Sequence, residues 1–530
     1  MSLVLGLDSS TQSLSAVILD TAKGTVVADH AVNFGKDLPQ YEQPHGYDES
    51  GVRGEVHANP LMWLEALDLL LGRMKEVGVD FSQITAVSGS GQQHGSVYLK
   101  KGFEDRLAGL SPDRSLKDQL ADAFSRASAP IWMDSSTTAE CAEIADAVGG
   151  PAVVCAKSGS VAVERFTGPQ IRKFFKEDPE GFANTGVIHL VSSFFASLFA
   201  GKSVAIDHGD GAGMNLMNLA AGGWDDDLVA ATADGLGAKL PQCAPSHTRC
   251  GPVARYFVEK HGFSPDCATV VWSGDNPCSL IGMGAAQPGK VVISLGTSDT
   301  LFAAMPEPRT DPKGFGHVFG NPAGGYMSLI CFKNGSLARE AVKEEFSLDW
   351  SAFERESLAK SPIGNGGFKM LPFYEPEITP AVDTGGPVFS DQRERSPHET
   401  VRAVLEGQFL NMKGHSDWLG VDPERIYLTG GASENDGIAQ VIANVFGVPV
   451  ERLEVPGSAT IGAAMRAAHA LGDDLRDLES KFSRPKEGRT ISPQAGAKER
   501  YDESLKSFMV FLADVTSGTS KGHSPLMPRP

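Results

Sequence analysis

Three stretches of this sequence set carboxylates among small hydrogen-bonding residues. Asp8-Ser9-Ser10-Thr11-Gln12-Ser13 places one carboxylate beside four hydroxyls and their backbone amides. Small side chains let a backbone wrap closely round a phosphate, and a carboxylate there can hold Mg2+, often through water. The same residues also make ordinary hairpin turns, and for this turn alone that is the better reading. Gly296-Thr297-Ser298-Asp299-Thr300 is a second turn of phosphate-binding size, about 290 residues further on. As a pair, the two turns favour phosphate binding. A third constellation, Ser273-Gly274-Asp275-Asn276-Pro277, offers a carboxylate and an amide side by side at the end of a buried-type strand. In α/β proteins that is where chemistry usually sits. A carboxylate there can accept a proton from a substrate hydroxyl, although Asp and Asn also serve turns by local hydrogen bonding.

His94, in the stretch from Gly91 to Gly95, has two readings: a grip on a substrate hydroxyl or a satisfied core group. Two other stretches are decoys. Gly201-Lys202-Ser203 resembles the end of a P-loop, but that motif needs a glycine where this chain has Ala196. Gly89-Ser90-Gly91 resembles a dinucleotide fingerprint, but its third glycine falls at His94.

These residues need elements to hold them. Residues 3–7 and 14–20 are apolar, β-prone runs on either side of the Asp8 turn, which predicts a hairpin. Leu61, Leu64, Leu67, Leu71 and Met74 recur at helical spacing, so 61–77 is predicted to be an amphipathic helix. A short strand at 84–88 is predicted to end at Gly89. The pattern then restarts with strands at 268–273 and 291–295, the second running into Gly296 and resuming at 301–304. A strand at 425–429 leads through Gly430-Gly431-Ala432-Ser433-Glu434-Asn435 into a helix over 436–446. Alternating strands and helices indicate an α/β class, and the repeated strand–turn–strand device indicates two similar lobes. A helix is predicted at 498–514, with a frayed tail over 516–530.

The chain has 530 residues, too many for one core, so two large domains are expected. Hydrophobic residues make up 41% and charged residues 21%, as in soluble globular proteins. With a formal charge of −19 and no Lys/Arg cluster, nucleic acid is excluded as a partner. An acidic chain can still bind a polyphosphate through backbone amides, helix N-termini or a metal ion. The seven cysteines form no CxxC, which argues against a zinc site or a disulfide framework and for a reducing compartment. The longest apolar stretch, 187–200, is too short to span a bilayer, and the N-terminus shows no leader signal. A cytoplasmic location and no membrane association are expected.

Eight segments, in order along the chain, now carry a resemblance. They are those beginning at Asp8, Gly91, Ile131, Glu164, Ser193, Gly274, Ser294 and Thr429. Together they resemble the FGGY carbohydrate kinases, and within that family the xylulokinases of the longer, animal-type branch. Gln93 stands where many bacterial members carry methionine. The resemblance implies an α/β fold of two actin-like, RNase H-like lobes with an active-site cleft between them. The expected domains are 1–265, for sugar, Mg2+ and phosphate; 266–490, for catalytic base and nucleotide; and 491–530, a helix and flexible tail. The implied reaction is ATP-dependent phosphorylation of D-xylulose on its C5 hydroxyl, with Mg2+ as cofactor.

Residue by residue, the resemblance makes Asp275 the general base. His94, Arg165, Asp275 and Asn276 are the sugar contacts, and Asp8 is the metal-positioning carboxylate. Thr11, Gly296 and Thr297 belong to the phosphate turns. Trp350, Gly431, Ala432 and Asn435 serve the nucleotide. The expected partners are a ketopentose and ATP, and the expected state is a monomer or homodimer. Alternatives are a kinase for another ketopentose or a polyol, such as ribulose, and a non-metabolic actin-like ATPase. The last shares the phosphate turns but has no need of His94, Arg165 and Asp275-Asn276 together.

Overall fold

Nearly continuous buried runs make up Leu3–Ser9 and Ser13–Asp20, and both form strands, β1 and β2. They pair antiparallel from Leu3 with Asp20 to Ser9 with Leu14, which leaves residues 10–12 as the turn. Thr25–Asn33 (β3) adds antiparallel to β2. Helix α1 (Pro60–Glu76) begins on Asn59, whose side chain accepts the Leu61 N–H, with Pro60 in the first turn. Its Trp63, Leu64, Leu67 and Leu71 are fully buried in the core.

Strand β4 (Ile84–Gly91) lies parallel to β1, with Asp8 opposite Ser90. It is longer than predicted. Gly89-Ser90-Gly91 continues the ladder beside β1, whose hydrogen bonds outweigh the local turn preference of these residues. Helices α2 (Thr167–Glu177) and α3 (Val191–Ala200) follow, and Phe195 of α3 stacks on Trp272 with ring centroids 5.3 Å apart. The sheet is completed by β5 (Arg249–Pro252) and β6 (Ala268–Val270), in the order β5-β6-β4-β1-β2-β3. Ser273–Gly274 pairs with Ser90 and Gly91 at the end of β4 and feeds helix α4 (Asp275–Gly282).

Strands β7 (Lys290–Leu295) and β8 (Asp299–Met305) repeat the hairpin, with Leu295 opposite Asp299. Next come β9 (His317–Gly320), β10 (Tyr326–Phe332), α5 (Ser336–Glu345), α6 (Trp350–Ala359) and α7 (Pro397–Ser416). Strand β11 (Arg425–Thr429) lies parallel to β7. Helix α8 (Asp436–Phe446) leads on to β12 (Val450–Arg452), parallel to β11. The sheet order is β9-β10-β8-β7-β11-β12. In both sheets a hairpin lies beside a strand parallel to its first arm, the duplication expected from the sequence.

Helix α9 (Ser458–Leu471) packs on β1 and α4. A Cβ on Gly462 would lie 1.9 Å from the Cys278 carbonyl oxygen, and one on Gly282 1.9 Å from that of Ser458. Only glycine permits that crossing. Helix α10 (Ala497–Gly518) extends past the predicted 514.

This is a computed structural model describing residues 3–49, 52–453 and 457–518. The expected tail from 519 onward lies outside the described residues. Two compact units emerge. One holds the chain through Gly284, Phe319–Tyr326 and the segment ending at Ser483. The other holds Ala285–Val318, Met327–Glu454 and the chain from Arg484. Helix α4, headed by Asp275, belongs to the first unit. Among the described residues no helix is long and apolar enough to cross a membrane.

Candidate active site

In the first unit, the register of three neighbouring strands brings two carboxylates together. Asp8, the last residue but one of β1, lies opposite Ser90, and Ser273–Gly274 pairs beside Ser90 and Gly91. Ser90 donates its hydroxyl to Asp8 Oδ1 at 2.6 Å. Each carboxylate keeps an exposed edge, but the surrounding protein removes much of its hydration. Burial pushes Asp8 up to about 7; the Ser90 hydrogen bond opposes this and the charge of Asp275 adds to it. Burial likewise pushes Asp275 up to about 6, against hydrogen bonds from the Asn276 and Gln93 backbones. Those N–H groups reach Asp275 Oδ1 at 2.8 and 3.4 Å.

Asn276 is held by Gln93, whose Oε1 accepts the Asn276 amide at 2.8 Å. The Gln93 side chain lies so close to Gly274 that a Cβ there would come within 2.3 Å of it. Its neighbour His94 adopts a left-handed backbone, φ 70°, uncommon for a residue with a side chain. The His94 ring stacks on Phe166, with centroids 4.2 Å apart, and its Nδ1 lies 2.8 Å from the Gly213 carbonyl. A carbonyl only accepts, so Nδ1 carries a proton, and in the neutral ring Nε2 is then the acceptor. The Arg165 guanidinium sits 5.5 Å from the centroid of the same Phe166 ring. Phe166 thus links the two.

The Asp8 turn is partly self-satisfied. The Ser10 and Ser13 hydroxyls bond each other at 3.0 Å, while Thr11 Oγ1 accepts the Trp132 indole N–H at 2.9 Å. Among the described residues no group of three or more His, Cys, Asp or Glu forms a metal cage. A Mg2+ ion carried mainly by phosphates and water needs only one or two carboxylates. Asp8, desolvated beside a second carboxylate, is a donor that a cation would relieve, so the donor set fits Mg2+.

The second unit holds a cavity of about 610 Å³. Gly296, Thr297, Trp350, Gly431, Ala432 and Asn435 all line it, joined by Ser336, Glu340, Ser351, Glu354 and Ile438. Gly430 has φ 89°, and a Cβ there would lie 2.4 Å from the Leu295 carbonyl oxygen, so this turn packs backbone to backbone on the end of β7. Asn435 caps α8 by accepting the Ile438 N–H at 2.9 Å. Trp350, 41% exposed, begins α6 and presents an aromatic face, with the Lys343 ammonium 5.5 Å from its centroid. The cavity combines small-residue turns at one strand end with an aromatic wall, a shape and chemistry suited to a nucleotide.

The structure therefore gathers the twelve site residues picked from the sequence into two sets. Asp8, Thr11, His94, Arg165, Asp275 and Asn276 lie in the first unit; the six cavity residues lie in the second. Sequence reasoning missed the side chains that hold these residues: Ser90, Phe166, Trp132 and the amide of Gln93. An aromatic beside Arg165 and an amide beside His94 were the only local signals.

The chain also matches known proteins over most of its length. Residues 126–282 match the FGGY family of carbohydrate kinases, N-terminal domain, and 291–471 match its C-terminal domain. Xylulose kinase 2 of Arabidopsis thaliana is 44% identical over 491 residues, covering 88% of this chain and 87% of that protein. Xylulose kinase of Rattus norvegicus is 43% identical over 508 residues, covering 94% of each. Among solved structures, xylulose kinase from Rhodospirillum rubrum superposes with TM-score 0.82 at 20% identity, over 97% of this chain and 99% of that one. Plasmodium falciparum glycerol kinase with ADP gives 0.77 at 15% identity, over 97% and 98%. At such identities the likeness speaks to the fold alone, and that fold is the expected actin-like α/β one.

Proposed function

Because the chain belongs to the FGGY family of carbohydrate kinases, it is an ATP-dependent sugar kinase, and we propose that its sugar is D-xylulose. The product is D-xylulose 5-phosphate, with release of ADP. The choice of sugar rests on one observation: the two relatives named xylulose kinase match this chain over roughly nine-tenths of its length. The family shown leaves no place for a non-metabolic ATPase.

Phosphoryl transfer to an alcohol is mainly positioning and charge neutralisation, because the transition state is loose. Asp275 orients the C5 hydroxyl and takes its proton late. The hydroxyl oxygen bonds to the γ-phosphorus while the bond from that phosphorus to the β-phosphate oxygen breaks. Asn276, fixed by Gln93, together with His94 and Arg165 holds the sugar's other oxygens. His94 Nε2 accepts from a hydroxyl and Arg165 donates. Asp8 would hold Mg2+, which when bound neutralises phosphate charge. Gly296, Thr297 and Thr11 contact phosphates, and Trp350, Gly431, Ala432 and Asn435 contact the nucleoside. The seven free cysteines support a reducing, cytosolic setting, and we take the active form to be a monomer or homodimer.

A coupled ADP-release assay across ketoses and polyols tests the reading. D-Xylulose should give the highest kcat/KM. A higher value for ribulose, another ketose or a polyol would move the assignment to that substrate.

A further inference from the structure

The Gly296–Ser298 turn has unusual backing. Asp299, the first residue of β8, is buried and receives a two-pronged ion pair from Arg339 of α5, at 2.7 and 2.9 Å. Arg339 is fully buried and also donates to Gln408 Oε1 of α7 at 3.1 Å. The Gln408 amide in turn donates to the carbonyls of Asn334 and Gly335, at 2.6 and 2.8 Å. The next residue, Ser336, donates its N–H to the Gly296 carbonyl at 2.9 Å. Gly335 fits only without a side chain: a Cβ would lie 2.6 Å from Asp299 Oδ1 and 2.7 Å from the Thr297 carbonyl oxygen. Three elements thus close a ring of bonds behind one turn.

Stability does not account for this ring. A buried ion pair recovers little more than its desolvation cost, and apolar residues of equal volume would serve as well. Arg339 Nε is moreover buried without a hydrogen-bond partner among the described residues. What the ring supplies is geometry. A bidentate guanidinium fixes orientation as well as distance, and the pair is internally neutral, so the turn's amides are left to face an anion.

We propose that Asp299, Arg339 and Gln408 are positioning residues that fix the Gly296–Ser298 turn for the nucleotide's phosphate chain. The inference rests on the kinase reading above. The set touches neither sugar nor reacting atoms. It acts on ATP affinity through the backbone of the turn.

The test uses the full-length chain carrying Gln408→Met, which conserves volume, or Arg339→Lys, which keeps charge but loses the fork. ADP titration calorimetry and steady-state kinetics are the readouts. Each variant should bind ADP about ten-fold more weakly, the scale of a lost buried hydrogen bond. The KM for ATP should rise equally, while the KM for sugar stays within two-fold. The inference is overturned by a variant that melts cooperatively and binds ADP with unchanged affinity. Equal loss of ADP and sugar affinity would also overturn it. If Arg339→Lys fails to fold, Gln408→Met decides alone. If the wild-type chain phosphorylates no sugar, the kinase reading falls, while the ADP titration still decides the positioning role.

Discussion

Asp275 must be ionised to take a proton, and its surroundings oppose ionisation. With the carboxyl pushed up to about 6 by burial, its base form is lost as pH falls through that value. kcat should therefore fall about ten-fold per pH unit below pH 6, and Asp275→Asn should flatten this limb at a level roughly 10²–10⁴ lower. ADP binding should persist, and near-normal turnover by the folded variant would remove Asp275 from the role. The same shift has a stability consequence of opposite sign. An ordinary unfolded carboxyl titrates near ~3.9, so the folded state binds this proton more tightly. Stability from Asp275 is then present at low pH and lost as pH rises from about 4 through 6. At pH 8 the ionised, desolvated carboxylate should cost roughly 1–3 kcal/mol. Asp275→Asn should accordingly melt higher than wild type at pH 8, with a gain that shrinks toward pH 4. Scanning calorimetry showing a lower melting temperature at pH 8 would mean the carboxylate's hydrogen bonds outweigh its burial. A side chain that is better for stability when replaced, and worse for turnover, is what a functional site leads one to expect.

At the scale of elements, the crossing of α4 and α9 sets where Asp275 sits. The helices meet at Gly282 and Gly462, with no room for even one methyl group. Gly6 of β1 is as tight, since a Cβ there would lie 2.3 Å from the Thr460 carbonyl oxygen. Gly462→Ala must push α4 or the Cys278 carbonyl aside. Overpacking of this kind costs about 1–3 kcal/mol, which urea denaturation should show. Because Asp275 heads α4, the displacement should also reduce kcat. A misplacement of about 1 Å is enough for roughly 10², with the KM for ATP unchanged. A fully active Gly462→Ala enzyme would show that α4 can move without taking its first residue along. These glycines were invisible as functional residues in the sequence, because a helical glycine gives no local sign of what lies against it.

Across the whole molecule, local pattern revealed the devices but not their partners. The hairpins at 3–20 and 290–305 were legible because each is an apolar run, a polar turn and another apolar run, all local. Helix 436–446 was legible because Asn435 caps it and Gly447 ends it. The seat of Asp275 was not, since residues 273–274 pair with 90–91, far away in sequence. Nor was the return of α9 to the first unit, between two segments of the second. Such long-range pairing leaves no periodicity to read. The proposed division of labour has a measurable consequence: the residues proposed for the sugar lie in one unit and the cavity proposed for the nucleotide in the other. Substitutions that share no partners act independently. Trp350→Ala, which removes the aromatic wall, should weaken ADP binding about ten-fold, the upper end of what an aromatic contact contributes. Its binary affinity for sugar should not change. Arg165→Ala should do the reverse, raising the KM for sugar far more than that for ATP. The double variant should bind ADP no more weakly than Trp350→Ala alone. A ten-fold loss of ADP affinity on Arg165→Ala would place that guanidinium on the nucleotide instead, and would overturn its assignment to the sugar.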